Sequence, residues 1–177
     1  MKLMYYLDKG GVIMYILSLL SIIGITILVW KLFILLKAKR NIAKMSEKIV
    51  KKSYSKDGSN DFILKIVKDE IAISILKLEK GLETIKTIST IAPLLGLLGT
   101  VIGILDSFEK IASKGMNSSF FAAGISIALI TTIGGLVVAI PHTIGYNYLI
   151  RIIDFIEIDV NKKTIKSISE KKDEKKN

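Results

Sequence analysis

The sequence has no cysteine, one histidine (His142) and two prolines in 177 residues. Without cysteine there is no disulfide framework, no thiol nucleophile and no thiolate metal site. A single histidine leaves nothing to build a histidine-based metal centre. No nucleophile–base pair, metal-ligand cluster or phosphate loop is visible, so the reading is of a protein that is not an enzyme and needs no cofactor. Charge is missing from three long stretches: Gly11–Trp30, Thr87–Leu105 and Met116–Ile150 contain no Asp, Glu, Lys or Arg.

What is present is apolar. Half the residues are hydrophobic and the mean hydropathy is +0.49, outside the range of an ordinary soluble domain. A membrane helix needs ~20 apolar residues to cross ~30 Å of hydrocarbon, and each uncharged run is long enough. Lys31 interrupts the first run before Leu32–Leu36 resume it, and beside Trp30 it is placed to snorkel to an interface. The first run is too long for a cleaved signal peptide and lacks a small-x-small site before Lys37-Ala38-Lys39-Arg40, so it reads as an uncleaved anchor. The third run has no central turn signal and reads as one helix that enters near Phe120 and continues beyond the bilayer.

The expected fold is an all-α membrane protein with three transmembrane helices, the second and third extended into a cytoplasmic helical bundle. Its segments are an outer (periplasmic) N-terminus 1–10, a first span 11–36, a cytoplasmic helical segment 37–86, a second span 87–107, a periplasmic loop 108–115, a third span 116–145, and a helical extension with a disordered tail over 146–177. Residues 37–86 hold 13 Lys and Arg and residues 151–177 hold eight, against two before the first span and two in 106–115. The positive-inside rule puts the basic segments in the cytoplasm. The net charge of +10 is thereby read as lysine-rich loops rather than nucleic-acid binding.

Residues 51–61 are polar and read as a turn, with Ser59, Asn60 or Asp61 capping the next helix. Ile63, Ile66, Val67, Glu70, Ile71, Ile75, Leu78, Leu82 and Ile85 then recur at three- and four-residue spacing, an amphipathic stripe. With Gly81 tolerated, the spacing predicts one helix from about 61 to 107. Tyr148, Leu149, Ile152, Ile153, Ile156 and Val160 form a second stripe. Residues 166–177 are almost all polar and are expected to be disordered.

Within the spans, Ser89, Pro93, Gly96, Thr100, Gly103 and Ser107 share a helical face, as do Ala128, Thr131/Thr132, Gly135, Ala139, His142 and Tyr146. Such faces suit either close helix packing or the wall of a pore. Threonine hydroxyls hold water but do not titrate near neutral pH, and His142 suits an interfacial hydrogen-bonding role better than a relay. A proton path would then need a carboxylate from another chain.

These residues carry a resemblance. Ala92-Pro93-Leu94-Leu95-Gly96-Leu97-Leu98-Gly99-Thr100-Val101-Ile102-Gly103 resembles the second-span signature of the ExbB/TolQ/MotA proton-channel family. Gly124-Ile125-Ser126, Ala128-Leu129-Ile130-Thr131-Thr132, Gly135-Leu136 and Ala139-Ile140-Pro141, with Tyr146-Asn147 following, resemble its third-span signature. The resemblance, closest to ExbB, implies a bacterial inner-membrane protein that forms homopentamers. The second and third spans would line a pore around single helices of an ExbD- or TolR-like partner, which supplies an intramembrane aspartate. A TonB-like protein would carry the force to outer-membrane uptake. Thr100 and Thr132 match the family's pore threonines; Thr131, Ser89, Ser107, Gly96, Gly103, Ala128, Gly135 and His142 complete the candidate lining. Many members carry a glutamate where this chain has Ile127, which increases dependence on the partner's acid. A TolQ-like role in envelope integrity and a non-conducting scaffold are the competing readings.

Overall fold

In a computed structural model, residues 2–54, 60–115 and 118–174 are described; of the expected loop 51–61, residues 55–59 with Ser59 lie outside them, as does Met116 at the start of the third run, and residues 51–54 and 60–61 are helical rather than loop. Five helices hold all but four of the described residues (Asn41, Lys80, Gly81 and Gly115): α1 (Lys2–Arg40), α2 (Ile42–Tyr54), α3 (Asn60–Glu79), α4 (Leu82–Lys114) and α5 (Ser118–Glu174). The protein is an all-α membrane protein. Three helices, over Met4–Arg40, Leu82–Lys114 and Ser119–Glu170, are long and apolar enough to cross a bilayer. The chain divides into two units, Met1–Leu28 with Leu82–Tyr146, and Val29–Gly81 with Asn147–Asn177.

The first unit holds the uncharged parts of α1, α4 and α5. Its core is Leu17, Ile88, Ala92, Val138 and Ala139, flanked by Ile13, Met14, Leu20 and Leu95. Leu94, Leu97, Val101, Leu105, Leu129, Ile133, Val137 and Ile140 are exposed, the distribution of a helix group solvated by hydrocarbon rather than water. α1 starts well before the expected residue 11, and it breaks at Gly11, whose φ of 60° and ψ of −152° are open only to glycine. Across that break the Tyr15 hydroxyl donates to Asp8 Oδ1 at 2.7 Å.

In the second unit most of each expected stripe is buried: Val67, Ile71 and Ile75 of α3 and Leu149, Ile152, Ile153, Ile156 and Val160 of α5, whereas Tyr148 at the head of the second stripe is exposed. Ile42, Ile49 and Val50 of α2, outside either expected stripe, are buried as well. Ser46 and Ser53 of α2 are buried too, each hydroxyl spent on the carbonyl four residues back, Ile42 and Ile49. Lys52 and Glu70 join α2 to α3 by an ion pair at 2.6 Å.

Three expectations about helix ends are corrected. The single helix over 61–107 is two, because Gly81 adopts φ 92°, which an L side chain reaches only with strain, and because the Lys31 ammonium donates to the α3 carbonyl of Leu78 at 3.2 Å. A cation at a helix C-terminus satisfies an otherwise unpaired carbonyl and complements the dipole. Lys31 is therefore buried at 8% exposure rather than snorkelled. Residues 108–114 are helical, held by the Asp106–Lys110 pair at 2.6 Å one turn apart and by Ser113 donating to the Glu109 carbonyl. The polar tail is helical as far as Glu174. Thr164 is buried, Ser167 and Ile168 are half-buried, and Lys166 lies 3.9 Å from Glu170, so local composition there is overridden by a continuing contact face.

Candidate functional site

α4 and α5 meet backbone to backbone. A Cβ placed on Gly96 would lie 2.8 Å from the Thr131 carbonyl oxygen and 3.3 Å from Gly135 Cα; one on Gly135 would lie 2.6 Å from the Ala92 carbonyl oxygen. Further along, a Cβ on Gly103 would meet the Gly124 carbonyl oxygen at 3.1 Å, and one on Gly124 would run into the Ser107 hydroxyl. Small residues let membrane helices approach this closely. Gly96, Gly103, Ser107, Ala128, Thr131 and Gly135 are thus consumed by the contact between two helices of one chain and are not an open wall.

Their polar atoms are also spent. Thr131, 1% exposed, donates to the Ala128 carbonyl at 2.9 Å. Ser107 donates to the Gly103 carbonyl at 3.0 Å, and Ser89 to the Lys86 carbonyl at 2.7 Å. Back-bonding of this kind satisfies a hydroxyl inside its own helix.

The exception sits at the edge of the contact. Thr100 of α4 and Thr132 of α5 are half-buried, and their hydroxyl oxygens are 2.5 Å apart. The Thr100 oxygen also lies 3.1 Å from the Ala128 carbonyl and 3.3 Å from the Gly96 carbonyl. A hydroxyl has one proton and two lone pairs. When Thr100 gives its proton to the Ala128 carbonyl, Thr132 must donate to Thr100, and the Thr132 proton is the only one of the two free to swing to another acceptor. The pair is an asymmetric donor: Thr100 anchored by carbonyls, Thr132 mobile.

His142 stands apart. It is 0% exposed, so it is not at an aqueous interface. Its Nδ1 lies 2.6 Å from the Val138 carbonyl, while Nε2 is buried without a partner and points into the space left by Gly24 of α1. With Nδ1 as the donor, the ring is the tautomer whose Nε2 lone pair is unsatisfied. It faces α1 and shares no contact with the threonine pair.

Two features escape the sequence reading. Gly99 and Gly124 complete the helix contact; one more step of the same spacing before Ala128 reaches Gly124. Asp106, set aside as the end of an uncharged run, is half-buried in mid-helix. It lines a cleft of ≈ 460 Å³ with Lys9, Gly11, Gly99, Ile127 and Thr131, six residues and ~9 Å along α4 from Thr100. Ile127, at the position where the resemblance leads one to expect glutamate, gives this cleft an apolar wall. Among the described residues no group of His, Cys, Asp and Glu is arranged to hold a metal.

The comparisons agree with these signatures. Residues 37–161 match the family described as the MotA/TolQ/ExbB proton channel family. The chain is 50% identical over 54 residues to a biopolymer transport protein ExbB of Aquifex aeolicus (strain VF5), covering 30% of this chain and 36% of that one. It is 43% identical over 84 residues to a biopolymer transport protein ExbB of Helicobacter pylori (strain J99 / ATCC 700824), covering 47% and 58%. The matched stretches thus span between about a third and somewhat over half of those relatives. With a family match over most of its length, two spanning helices that are uncharged over Thr87–Leu105 and Met116–Ile150 and a threonine pair between them, the chain belongs to the MotA/TolQ/ExbB proton channel family.

Proposed function

We propose that the chain is an ExbB-like stator and channel subunit of the bacterial inner membrane that converts proton-motive force into work on a partner. It acts as a homopentamer around single membrane helices of an ExbD- or TolR-like protein, and a TonB-like protein passes the force to outer-membrane uptake. The supporting observation is the Thr100–Thr132 pair, among the described residues the one hydroxyl–hydroxyl pair on the two spans, left half-buried where they carry no charged residue over Thr87–Leu105 and Met116–Ile150. Such a chain cannot carry a proton across hydrocarbon alone. It can stabilise an acid brought to it: Thr132 turns its proton from Thr100 to the partner's ionised aspartate, while Thr100 stays bound to Ala128. When the acid is protonated, Thr132 returns to Thr100.

A hydrogen bond to a charged group is worth ~1.5–3 kcal/mol. Thr132→Val keeps the volume and removes the donor. Proton-driven uptake is expected to fall about tenfold or more while co-purification of the aspartate-bearing partner persists. Thr100→Val removes the acceptor of the Thr132 proton and the donor to the Ala128 carbonyl, but not the hydroxyl that turns to the acid, and is expected to cost less. Full activity in the Thr100→Val, Thr132→Val double variant sinks the reading.

In the same reading the N-terminus is periplasmic, and the 37–86 segment and the C-terminus are cytoplasmic. The cysteine-free background makes the test direct. Single cysteines at Ser55 and Ser167 are expected to resist a membrane-impermeant thiol reagent added to intact cells, and efficient labelling of either reverses the orientation.

A further inference from the structure

The turn between α3 and α4 brings cations together without an anion. Lys31 is 8% exposed. Its stem passes Gly81, with Cε 3.5 Å from where a Cβ would stand, and its ammonium reaches the Leu78 carbonyl through a bond that is only partly covered. Lys80 directly precedes Gly81 in the same turn, so a second ammonium-bearing residue neighbours the position that the Lys31 stem passes. Among the described residues no carboxylate is within ion-pair distance of either ammonium; Glu79 and Glu83, the acids on either side of the turn, pair with neither. An ammonium carries three donors, and at Lys31 a single carbonyl engages one of them. A buried cation ordinarily comes with a counter-ion, and a second cation beside it increases the need.

We propose that Lys31 and Lys80 form a binding site for a phosphate oxyanion, and that its occupant is the headgroup of an anionic phospholipid. The depth argues for lipid. Lys31 directly follows the 20-residue uncharged run Gly11–Trp30, one hydrocarbon thickness of helix, and with only Leu32–Leu36 between it and Lys37 its long side chain is within reach of the headgroup level. Trp30 beside it is 65% exposed, as a residue at the headgroup level is. Anionic headgroups draw basic side chains at this position, and a phosphate offers enough acceptor oxygens to fill the open donors of both lysines. The occupied site would hold α1 to the end of α3 and fix the Gly81 turn. The inference rests on the three-helix membrane fold and is independent of ion coupling.

The test compares the full-length wild-type chain with the Lys31→Met, Lys80→Gln double variant, each incubated with phosphatidylglycerol or phosphatidylcholine vesicles and then extracted in neutral detergent for native mass spectrometry. The wild type is expected to retain phosphatidylglycerol in preference to phosphatidylcholine. The double variant is expected to lose about tenfold of that preference, the equivalent of one charge-assisted contact. Lys80→Gln alone, which alters only an exposed side chain, should lose part of it and keeps the test valid if the double variant misfolds. Lys163→Gln with Lys166→Gln removes the same charge from α5 and should lose none. Equal loss in that control, or no preference in the wild type, overturns the proposal. A second arm follows thermal melting in detergent. Stabilisation by phosphatidylglycerol but not by inorganic phosphate supports the headgroup, and equal stabilisation by inorganic phosphate alone overturns the lipid assignment.

Discussion

Adding one methyl group at Gly135 should pull apart the two hydroxyls at Thr100 and Thr132 without touching either. The new Cβ would stand 2.6 Å from the Ala92 carbonyl oxygen, whereas ordinary contact begins at about 3.4 Å. Backbone cannot rotate out of the way as a side chain can, so α4 and α5 must separate by ~0.8 Å. Passed along the contact as a rigid shift, this takes the threonine oxygens from 2.5 Å to ~3.3 Å, outside the 2.5–3.0 Å range of a hydroxyl–hydroxyl bond. Overpacking of this kind costs ~1–3 kcal/mol and the lost bond ~0.5–1.5 kcal/mol, against ~1 kcal/mol that alanine returns in helix propensity. The net loss is ~0.5–3.5 kcal/mol. Gly134→Ala is the matched control. Its Cβ would meet the Met14 sulfur at 2.5 Å, but a thioether on three rotatable bonds moves aside, so that variant should be near neutral. Thermal melting of the two variants in detergent, read beside proton-driven uptake, separates them: Gly135→Ala should lose both stability and activity. If Gly135→Ala melts with Gly134→Ala and keeps activity, the close α4–α5 contact is not what sets the threonine pair.

Two further outcomes follow from single residues. Gly81→Ala meets no steric obstacle, since the nearest side-chain atom is 3.5 Å away, yet it must hold φ near 92°; a loss of ~1–2 kcal/mol is expected from backbone strain alone, and melting unchanged from wild type would mean that α3 and α4 run on as one helix. His142→Leu removes an unsatisfied buried nitrogen and leaves the Val138 carbonyl with its helical partner, so stability should be unchanged or raised and proton-driven uptake retained; loss of uptake with intact assembly would move the proton path to His142.

Much of this architecture is written in the sequence. The three uncharged runs identify the spanning helices because charge in hydrocarbon is too costly to be placed casually. The α3 stripe through Val67, Ile71 and Ile75 is legible because burial on one helical face imposes its period on the sequence. The break at Gly81 is not legible locally. A lone glycine is compatible with a helix, and here the break is fixed by an ammonium 47 residues away. The helical stretch 166–174 is hidden for the same kind of reason, its polar composition being outweighed by a face continued from Val160 and Thr164. The site was legible as a face but not as a division of labour. Spacing puts Ser89, Gly96, Thr100, Gly103 and Ser107 together; it does not reveal that α5 takes Gly96, Gly103 and Ser107 for itself and leaves only Thr100, with Thr132, at the edge.

The contact between α4 and α5 has a mechanical meaning. Most helix pairs meet through side chains, which can change rotamer and let the helices slide or tilt by small amounts. Here a Cβ on Gly96, Gly124 or Gly135 would collide with a carbonyl oxygen of the facing helix, so backbone packs against backbone and there are few rotamers to exchange. Such a joint behaves as a dovetail: it holds or it opens, with no graded slack between. A load applied to one of the two helices is carried by both, and Thr100 and Thr132 keep their spacing under it.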